Sequence, residues 1–239
     1  MSKLFIANWK MELPLQSSLK LGRDFKKIFS NFKGQIVVCP DFLSIPILAP
    51  ELKKTKIILG AQDCAFDKFG AYTGEVSAVN IKKLGVKYVI LGHSERRQNF
   101  SEDDKLINRK IKAAQAAGLK VVLCVGESAQ ERCDGKTFEV IKQQIRQGLK
   151  GVSRELVVAY EPIWAIGSGR SATAYEAQEV HSLIKKEAGQ ILKKEIKVIY
   201  GGSLNAKNSL EFRQAKDVNG FLVGGSSLKA TEFYKICQL

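Results

Sequence analysis

The sequence predicts one α/β domain over residues 1–239, a (β/α)8 barrel, and three observations carry this prediction. Short apolar runs recur eight times, with starts roughly 20 to 40 residues apart, the length of a strand–loop–helix unit. The segments between these runs have the residue spacing of amphipathic helices. No linker rich in proline, glycine or serine divides the chain, and its length is typical of an α/β barrel.

The predicted strands are the apolar runs themselves, which lack the alternation of a half-exposed strand. Short strands of this kind are typical of a parallel sheet covered by helices. In chain order they are Leu4–Ala7, Ile36–Cys39, Ile57–Ala61, Tyr88–Leu91, Val121–Val125, Leu156–Tyr160, Val198–Tyr200 and Phe221–Val223. Eight such units without a break in composition favour a closed barrel over an open sheet.

Three of the intervening segments have clear helical signals. Asp103–Ala117 carries apolar side chains at helical spacing and is followed by Gly118, a typical C-terminal cap. Thr137–Leu149 repeats that spacing. Thr173–Ala188 begins with a threonine suited to an N-cap, and Glu176 three residues later completes a capping box.

Composition excludes several classes of protein. No apolar run is long enough to cross a bilayer, so we expect a cytoplasmic protein without a membrane partner. The five cysteines are odd in number and never form Cys-x-x-Cys, which disfavours a disulfide framework or a structural zinc site. A net charge of +14 leaves a nucleic-acid or membrane-surface binder as an alternative. The lysines are spread along the helices without a binding motif, so a nucleic-acid partner is not expected.

Polar residues follow several of the predicted strands, at the barrel end where function is expected. Asn8 and Lys10 follow the first strand and supply a directional amide and a cation suited to an anionic substrate. His93 follows the fourth strand and Glu161 the sixth. The other histidine, His181, lies inside a predicted helix, and we interpret it as structural.

Glycine-rich turns follow the last two strands. The seventh is followed by Gly201–Asn205, which contains Ser203, and the eighth by Gly224, Gly225 and Ser226. Small, uncharged turns leave backbone N–H groups accessible, and phosphate sites in this fold favour these two loops. Plain turns are the alternative, but their position at the same predicted end of the barrel favours phosphate binding.

The segment from Ala159 to Ser171 has the outline of a base under a lid. Glu161 ends a buried strand, and Pro162 biases it towards extended geometry. An uncharged stretch, Ile163–Ile166, comes next, and Gly167 and Gly169 then allow the backbone to swing. A surface glutamate before an ordinary turn is the alternative interpretation.

Seven loops in order resemble those of the triosephosphate isomerase family, over the span from Phe5 to Leu228. They are Asn8–Lys10, Gly60–Gln62 with Gly70–Glu75, Gly92–Arg97, Cys124–Glu127, Ala159–Gly169, Tyr200–Asn205 and Leu222–Gly225. The departures are mild. Asp63 stands where the family usually has Asn, and the lid ends Gly-Ser-Gly-Arg-Ser where Gly-Thr-Gly-Lys-Thr is commoner.

The resemblance implies a fold and a reaction. The fold is the TIM barrel, and the reaction interconverts dihydroxyacetone phosphate and D-glyceraldehyde 3-phosphate through an enediolate, in glycolysis and gluconeogenesis, without metal or other cofactor. Glu161 would move the carbon-bound proton, and His93 would polarise the carbonyl. Lys10 and Asn8 would stabilise the developing charge, and Glu95 would pair with Lys10 or orient the catalytic groups. A neutral His93 is a known property of this family and is implied only by the resemblance.

The resemblance also implies the binding residues and the assembly. Backbone N–H groups of Gly167, Ser203, Gly224 and Gly225 would hold the phosphate, and Ile166–Gly169 would close over the intermediate. The chain would form a homodimer, in which Thr73 in the loop Cys64–Glu75 reaches the partner's site. Another barrel enzyme acting on a phosphorylated sugar is the alternative, but it would not need Glu161, His93 and Lys10 together.

Overall fold

The computed structural model describes residues 3–166 and 172–238, and its strands form one closed, all-parallel barrel. The strands are β1 Leu4–Asn8, β2 Gln35–Cys39, β3 Ile58–Ala61, β4 Tyr88–Leu91, β5 Lys120–Val125, β6 Val157–Tyr160, β7 Lys197–Tyr200 and β8 Gly220–Val223. Each strand pairs with its neighbours in chain order, and β8 pairs with β1. The predicted fold class, a single (β/α)8 barrel, is confirmed, and every predicted strand lies within one residue of its observed bounds at each end. The extent of this domain, residues 1–239, stays a prediction.

The helices lie between the strands and pack around the barrel. They are α1 Leu15–Ile28, α2 Ile45–Leu52, α3 Ala78–Lys83, α4 Ser94–Phe100, α5 Asp104–Ala116, α6 Ala129–Cys133, α7 Thr137–Gly148, α8 Ala174–Leu192, α9 Ser209–Gln214 and α10 Ala230–Cys237. Short 3-10 helices span Ile163–Ala165 and Gly225–Leu228. Within the described ranges, no helix combines the length and the apolar character needed to cross a membrane.

The predicted helix ends are largely as the sequence indicates. Asp103 caps α5 by accepting a hydrogen bond from the Leu106 N–H, and Gly118 follows with a positive φ of 79°. Thr173 caps α8 in a full capping box with Glu176. That helix continues to Leu192, four residues beyond the prediction, and ends at Lys193 in the left-handed conformation.

The apolar side chains form two layers, which explains why the strands show no alternation. Alternate strand residues fill the barrel interior, among them Ile6, Val37, Ile90, Val122 and Ile199. The intervening residues pack outward against the helices. Because both faces of each strand are covered, nearly every strand position is apolar. The same packing makes the strand ends at one rim a rigid platform for the site.

His181 has the structural role that its position in a helix predicts. It lies fully buried on α8, with Nδ1 3.2 Å from the Asp217 carbonyl oxygen and with the rings of Tyr160 and Tyr200 nearby. Burial lowers the pKa of this imidazole to about 4, because the charged form would lose its hydration. The folded protein therefore holds His181 neutral.

We expect this buried histidine to make the protein less stable in mild acid. The pKa of His181 falls from an ordinary 6.5 to about 4 on folding, so the unfolded chain takes up a proton first as pH drops. The contribution of neutral His181 to the free energy of unfolding is complete above pH 6.5. Between pH 6.5 and 4 that free energy falls by on the order of 3 kcal/mol. Urea titrations across that range check this, with His181→Gln as the variant. A variant whose free energy of unfolding depends on pH as strongly as the wild type would contradict it.

Candidate active site

A cavity of about 400 Å³ opens at the carboxyl ends of the strands. Side chains and loops from β1, β4, β6, β7 and β8 line it, and they include most of the residues that the sequence singled out. The lining comprises Asn8, Lys10, His93, Glu161, Ile166, Gly201, Gly202, Ser203, Leu204, Asn205, Leu222, Val223, Gly224, Gly225 and Ser226. The structure therefore brings these residues together in one cavity, and their roles there stay predictions.

Lys10 is held in an unusual backbone conformation, with a φ of 51°. Its N–H donates to Oδ1 of Asn8 at 3.1 Å, and its carbonyl accepts from Nε2 of Gln62 at 2.7 Å. The same Gln62 amide donates to the Cys39 carbonyl at 3.0 Å, which ties the turn to the end of β2. These contacts over-determine the turn, so a left-handed lysine is tolerated here.

The lysine ammonium is paired with a carboxylate at the cavity rim. Nζ of Lys10 lies 2.5 Å from Oε1 of Glu95. The predicted catalytic role of Glu95 stays a prediction. The other oxygen, Oε2, lies 3.7 Å from Nδ1 of His93. Glu95 belongs to the first turn of α4, where a negative charge is favourable. This carboxylate therefore joins the cation from β1 to the histidine after β4.

His93 is the N-cap of α4, and this position fixes the protonation of its ring. Nδ1 accepts a hydrogen bond from the Glu95 N–H at 3.2 Å. A ring nitrogen that accepts a hydrogen bond carries no proton, so we assign a neutral imidazole with its proton on Nε2. Nε2 lies 3.2 Å from Oε1 of Glu161, and His93 lines the cavity. His93 can thus act as a neutral hydrogen-bond donor.

Glu161 is a carboxylate in a nearly closed environment, only 2% exposed. Oε2 accepts from the Ser94 N–H at 2.9 Å, at the start of α4, and Oε1 faces His93. Its backbone is equally confined. A Cβ at Gly126 would lie 1.8 Å from the Glu161 carbonyl oxygen, and one at Gly201 would lie 2.9 Å from its Cγ. Glycine at position 126 thus leaves room for the Glu161 backbone, and glycine at position 201 leaves room for its side chain.

The two glycine-rich loops line the cavity, and the loop after β8 lies against the lysine. A Cβ at Gly224 would lie 3.2 Å from Cε of Lys10, so glycine there admits the lysine side chain. Ser203 and Gly225 also line the cavity, and Oγ of Ser203 donates to the Ala165 carbonyl at 2.7 Å. Gly167, the other predicted phosphate ligand, and the rest of the lid from Gly167 to Ser171 lie outside the described residues.

Glu127 anchors the segment that leads into the predicted lid, a role that sequence reasoning missed. It is fully buried, and its Oε1 accepts from Nε1 of Trp164 at 2.9 Å and from the Tyr160 hydroxyl at 3.0 Å. Arg132 stacks over the Trp164 ring, 4.2 Å from its centre. The available signal was a lone carboxylate at the end of an apolar strand, because such a group needs partners once buried.

Asp63 begins the loop after β3 and joins a buried group of four charges. Lys110 Nζ lies 2.7 Å from Asp63 Oδ2 and 2.5 Å from Glu102 Oε1, and Nε of Arg96 bridges the same two carboxylates at 2.9 and 2.7 Å. Burial raises the pKa of Asp63 to about 6, although both cations oppose the shift. The group ties the third loop to α4 at Arg96, three residues after the N-cap His93.

Thr73 lies away from the cavity, on the exposed part of the loop after β3. Two large apolar neighbours, Phe69 and Tyr72, are also exposed on this loop. Within the chain the predicted site residue Thr73 is therefore not brought together with Lys10 or His93. Its predicted place in a partner's site stays a prediction.

Comparison with known proteins agrees with this geometry over the whole length. A family model described as triosephosphate isomerase matches residues 3–239. The triosephosphate isomerase of Thermoanaerobacter pseudethanolicus is 42% identical over 241 residues, 98% of this chain and 97% of that protein. That of Dictyoglomus thermophilum is 44% identical, over 99% and 98% of the two chains. The crystal structure of triosephosphate isomerase from Bartonella henselae is similar with a TM-score of 0.91 and 34% identity, covering 99% of this chain and 98% of that one.

Proposed function

Since this chain belongs to the triosephosphate isomerase family, we propose that it interconverts dihydroxyacetone phosphate and D-glyceraldehyde 3-phosphate through an enediolate. The observation that carries the proposal is the meeting of Lys10, His93 and Glu161 in one cavity beside two glycine-rich loops. A proton transfer between adjacent carbons needs a base, an electrophile for the carbonyl oxygen and a counter-charge for the intermediate.

In the proposed reaction Glu161 removes the carbon-bound proton and returns it to the neighbouring carbon. The carboxylate rests on the Ser94 N–H, so it must leave that contact to reach a substrate carbon in the cavity. Its burial keeps competing water away from the base. His93 Nε2 then donates to the substrate oxygen on which charge develops, since Nδ1 is already engaged by the Glu95 N–H.

Lys10 and Asn8 complete the charge stabilisation, and the loops after β7 and β8 bind the phosphate. The Lys10 ammonium stabilises the charge on both the phosphate and the enediolate of the intermediate. It lies beside Gly224 of the loop after β8 and next to Glu95 at the rim of the cavity. Backbone N–H groups of Ser203, Gly224 and Gly225, with Gly167 from the lid, hold the phosphate oxygens.

A coupled assay tests the proposed function directly. Purified protein supplied with D-glyceraldehyde 3-phosphate should form dihydroxyacetone phosphate, which a dehydrogenase and NADH then report as a loss of absorbance. The reverse direction should reach the same equilibrium ratio of the two triose phosphates. Protein that is folded by circular dichroism but turns over neither substrate would refute the assignment.

We propose that Ile166–Gly169 protects the intermediate by closing over the cavity. The proposal is supported by the apolar Ile166 in the cavity wall and by the Ser203 contact to Ala165. An enediolate phosphate exposed to water eliminates its phosphate, so a chain lacking Ile166–Gly169 should release inorganic phosphate and methylglyoxal from substrate. Phosphate release no greater than that of the wild type, from a shortened chain that still isomerises, would contradict a protective lid.

We further propose a cytoplasmic homodimer in which the loop Cys64–Glu75 enters the partner's site. Exposed apolar residues on this loop, Phe69 and Tyr72, support burial against a second copy. Asp63 supports it too, because its ion pairs fix the root of the loop to α4. The loop would then support Lys10 and His93 of the partner.

A further inference from the structure

The side chain of Gln144 is hydrogen-bonded to the backbone of Gly126, a residue in contact with the proposed base Glu161. It lies on α7, in the outer layer of helices, and is not among the described residues that line the cavity. Its Oε1 accepts from the Gly126 N–H at 2.8 Å, and its Nε2 donates to the Gly126 carbonyl at 2.9 Å. One side-chain amide therefore satisfies both backbone groups of Gly126.

Gly126 is in direct contact with the backbone of Glu161. A Cβ placed on Gly126 would overlap the Glu161 carbonyl oxygen at 1.8 Å and its carbonyl carbon at 2.8 Å. The two residues beside Gly126 bond to the same segment. The Glu161 N–H donates to the Val125 carbonyl at 2.8 Å, and the Ile163 N–H donates to the Glu127 carbonyl at 3.1 Å. Residues 125–127 thus form a backbone template for residues 161–163.

We propose that Gln144 is a positioning residue for Glu161, acting through Gly126. The inference deepens the proposed function, since it rests on Glu161 as the base. Gly126 follows the last residue of β5 and lies beyond the paired register of β4 and β5, which ends at Leu91 and Leu123, so on that side the template would otherwise be free to shift. The paired hydrogen bonds from Gln144 replace that pairing and fix where the Glu161 peptide sits.

The position of Gln144 predicts which kinetic constant changes. The phosphate loops follow β7 and β8, and among the described residues the backbone of Gly126 is hydrogen-bonded to Gln144 and not to these loops, so substrate binding should be preserved. A shifted template moves the base relative to the reacting carbon, and a misplacement of about 1 Å can cost about 100-fold in rate. Loss of the Gln144 contact should therefore lower kcat by roughly 10- to 100-fold and leave KM within about twofold.

The experiment compares Gln144→Leu and Gln144→Glu with Gln143→Leu, a change at the preceding, exposed position of the same helix. Gln143→Leu should keep the wild-type kcat. Substrate deuterated at the carbon that loses its proton should show a larger isotope effect on kcat in Gln144→Leu than in the wild type. A change that only loosens the packing of α7 would not make the proton transfer more rate-limiting.

Gln144→Glu adds a readout that depends on one proton. The carboxylate keeps an acceptor for the Gly126 N–H but places a second oxygen against the Gly126 carbonyl, which repels it. Protonation restores a donor, so the ratio of the variant's kcat to the wild-type kcat should rise as pH falls. A flat ratio would overturn the inference, even where Gln144→Leu fails to fold.

Two further outcomes separate this inference from the proposed function. A Gln144→Leu enzyme with unchanged kcat, or with the loss confined to KM, overturns the positioning role and leaves the isomerase assignment intact. Wild type and Gln143→Leu that are both inactive on triose phosphates overturn the isomerase assignment instead. Amide hydrogen exchange then decides the positioning itself, because the Glu161 N–H should exchange faster in Gln144→Leu than in Gln143→Leu.

Discussion

Glu161→Gln should leave the barrel folded and reduce kcat by at least 10² to 10⁴, the range typical of a positioned general base. The amide oxygen can keep the hydrogen bond from the Ser94 N–H, so the side chain can stay in its place. It cannot accept the proton from carbon, because a neutral amide is a far weaker base than a carboxylate. The coupled assay measures the loss, and substrate KM should change little.

Glu155→Gln provides the matched control for this experiment. Glu155 is an exposed glutamate just before β6, so the same chemical change is made away from the cavity. Its kcat should equal that of the wild type. Turnover of Glu161→Gln close to that of the control would remove Glu161 from the mechanism, and a large drop in the thermal midpoint would point to a structural effect.

Thr73→Arg should convert the protein into monomers with about 100-fold lower kcat/KM. The loop carrying Thr73 is exposed in a single chain, so an added charge costs the isolated monomer little. In the proposed interface the same arginine would be buried without a partner, which disfavours association. The partner's Lys10 and His93 would then lose their support, and small displacements in an active site are costly.

Sedimentation equilibrium and the coupled assay on the same sample measure both effects. Thr231→Arg, an exposed threonine at the start of α10, tests for a non-specific effect of the added charge and should remain dimeric and active. A wild-type protein that is fully active and monomeric at assay concentration would rule out the proposed interface role of Thr73.

The strands and the strand-end residues could be predicted from sequence because their signals are local. An apolar run buried on both faces can be recognised alone, and Glu161 and His93 come within two residues of the ends of such runs. Their meeting follows from barrel closure, which brings the carboxyl ends of all strands to one rim. The Thr173–Glu176 capping box is local as well, and the structure contains it.

The residues that sequence reasoning missed act through long-range contacts between polar side chains and backbone. Gln62 reaches the Lys10 carbonyl across 52 positions, and Gln144 reaches Gly126 from a helix in the outer layer. A glutamine on an amphipathic helix or after a strand carries no pattern that names its partner. The extension of α8 past Gly189 is a related case, because packing against the barrel outweighs the low helix propensity of glycine.

The left-handed backbone conformation of Lys10 lowers the stability of the fold, whereas its side chain serves the proposed activity. A lysine with a φ of 51° is strained by about 1 to 2 kcal/mol relative to glycine, which adopts this region without a Cβ clash. Selection for thermal resistance alone would therefore favour glycine or asparagine at position 10. Either change would remove the ammonium from the rim of the cavity. A variant of this enzyme engineered for higher thermal stability should therefore keep Lys10. Stabilising substitutions are better placed on the outer helices, for example at the exposed Gln143 of α7.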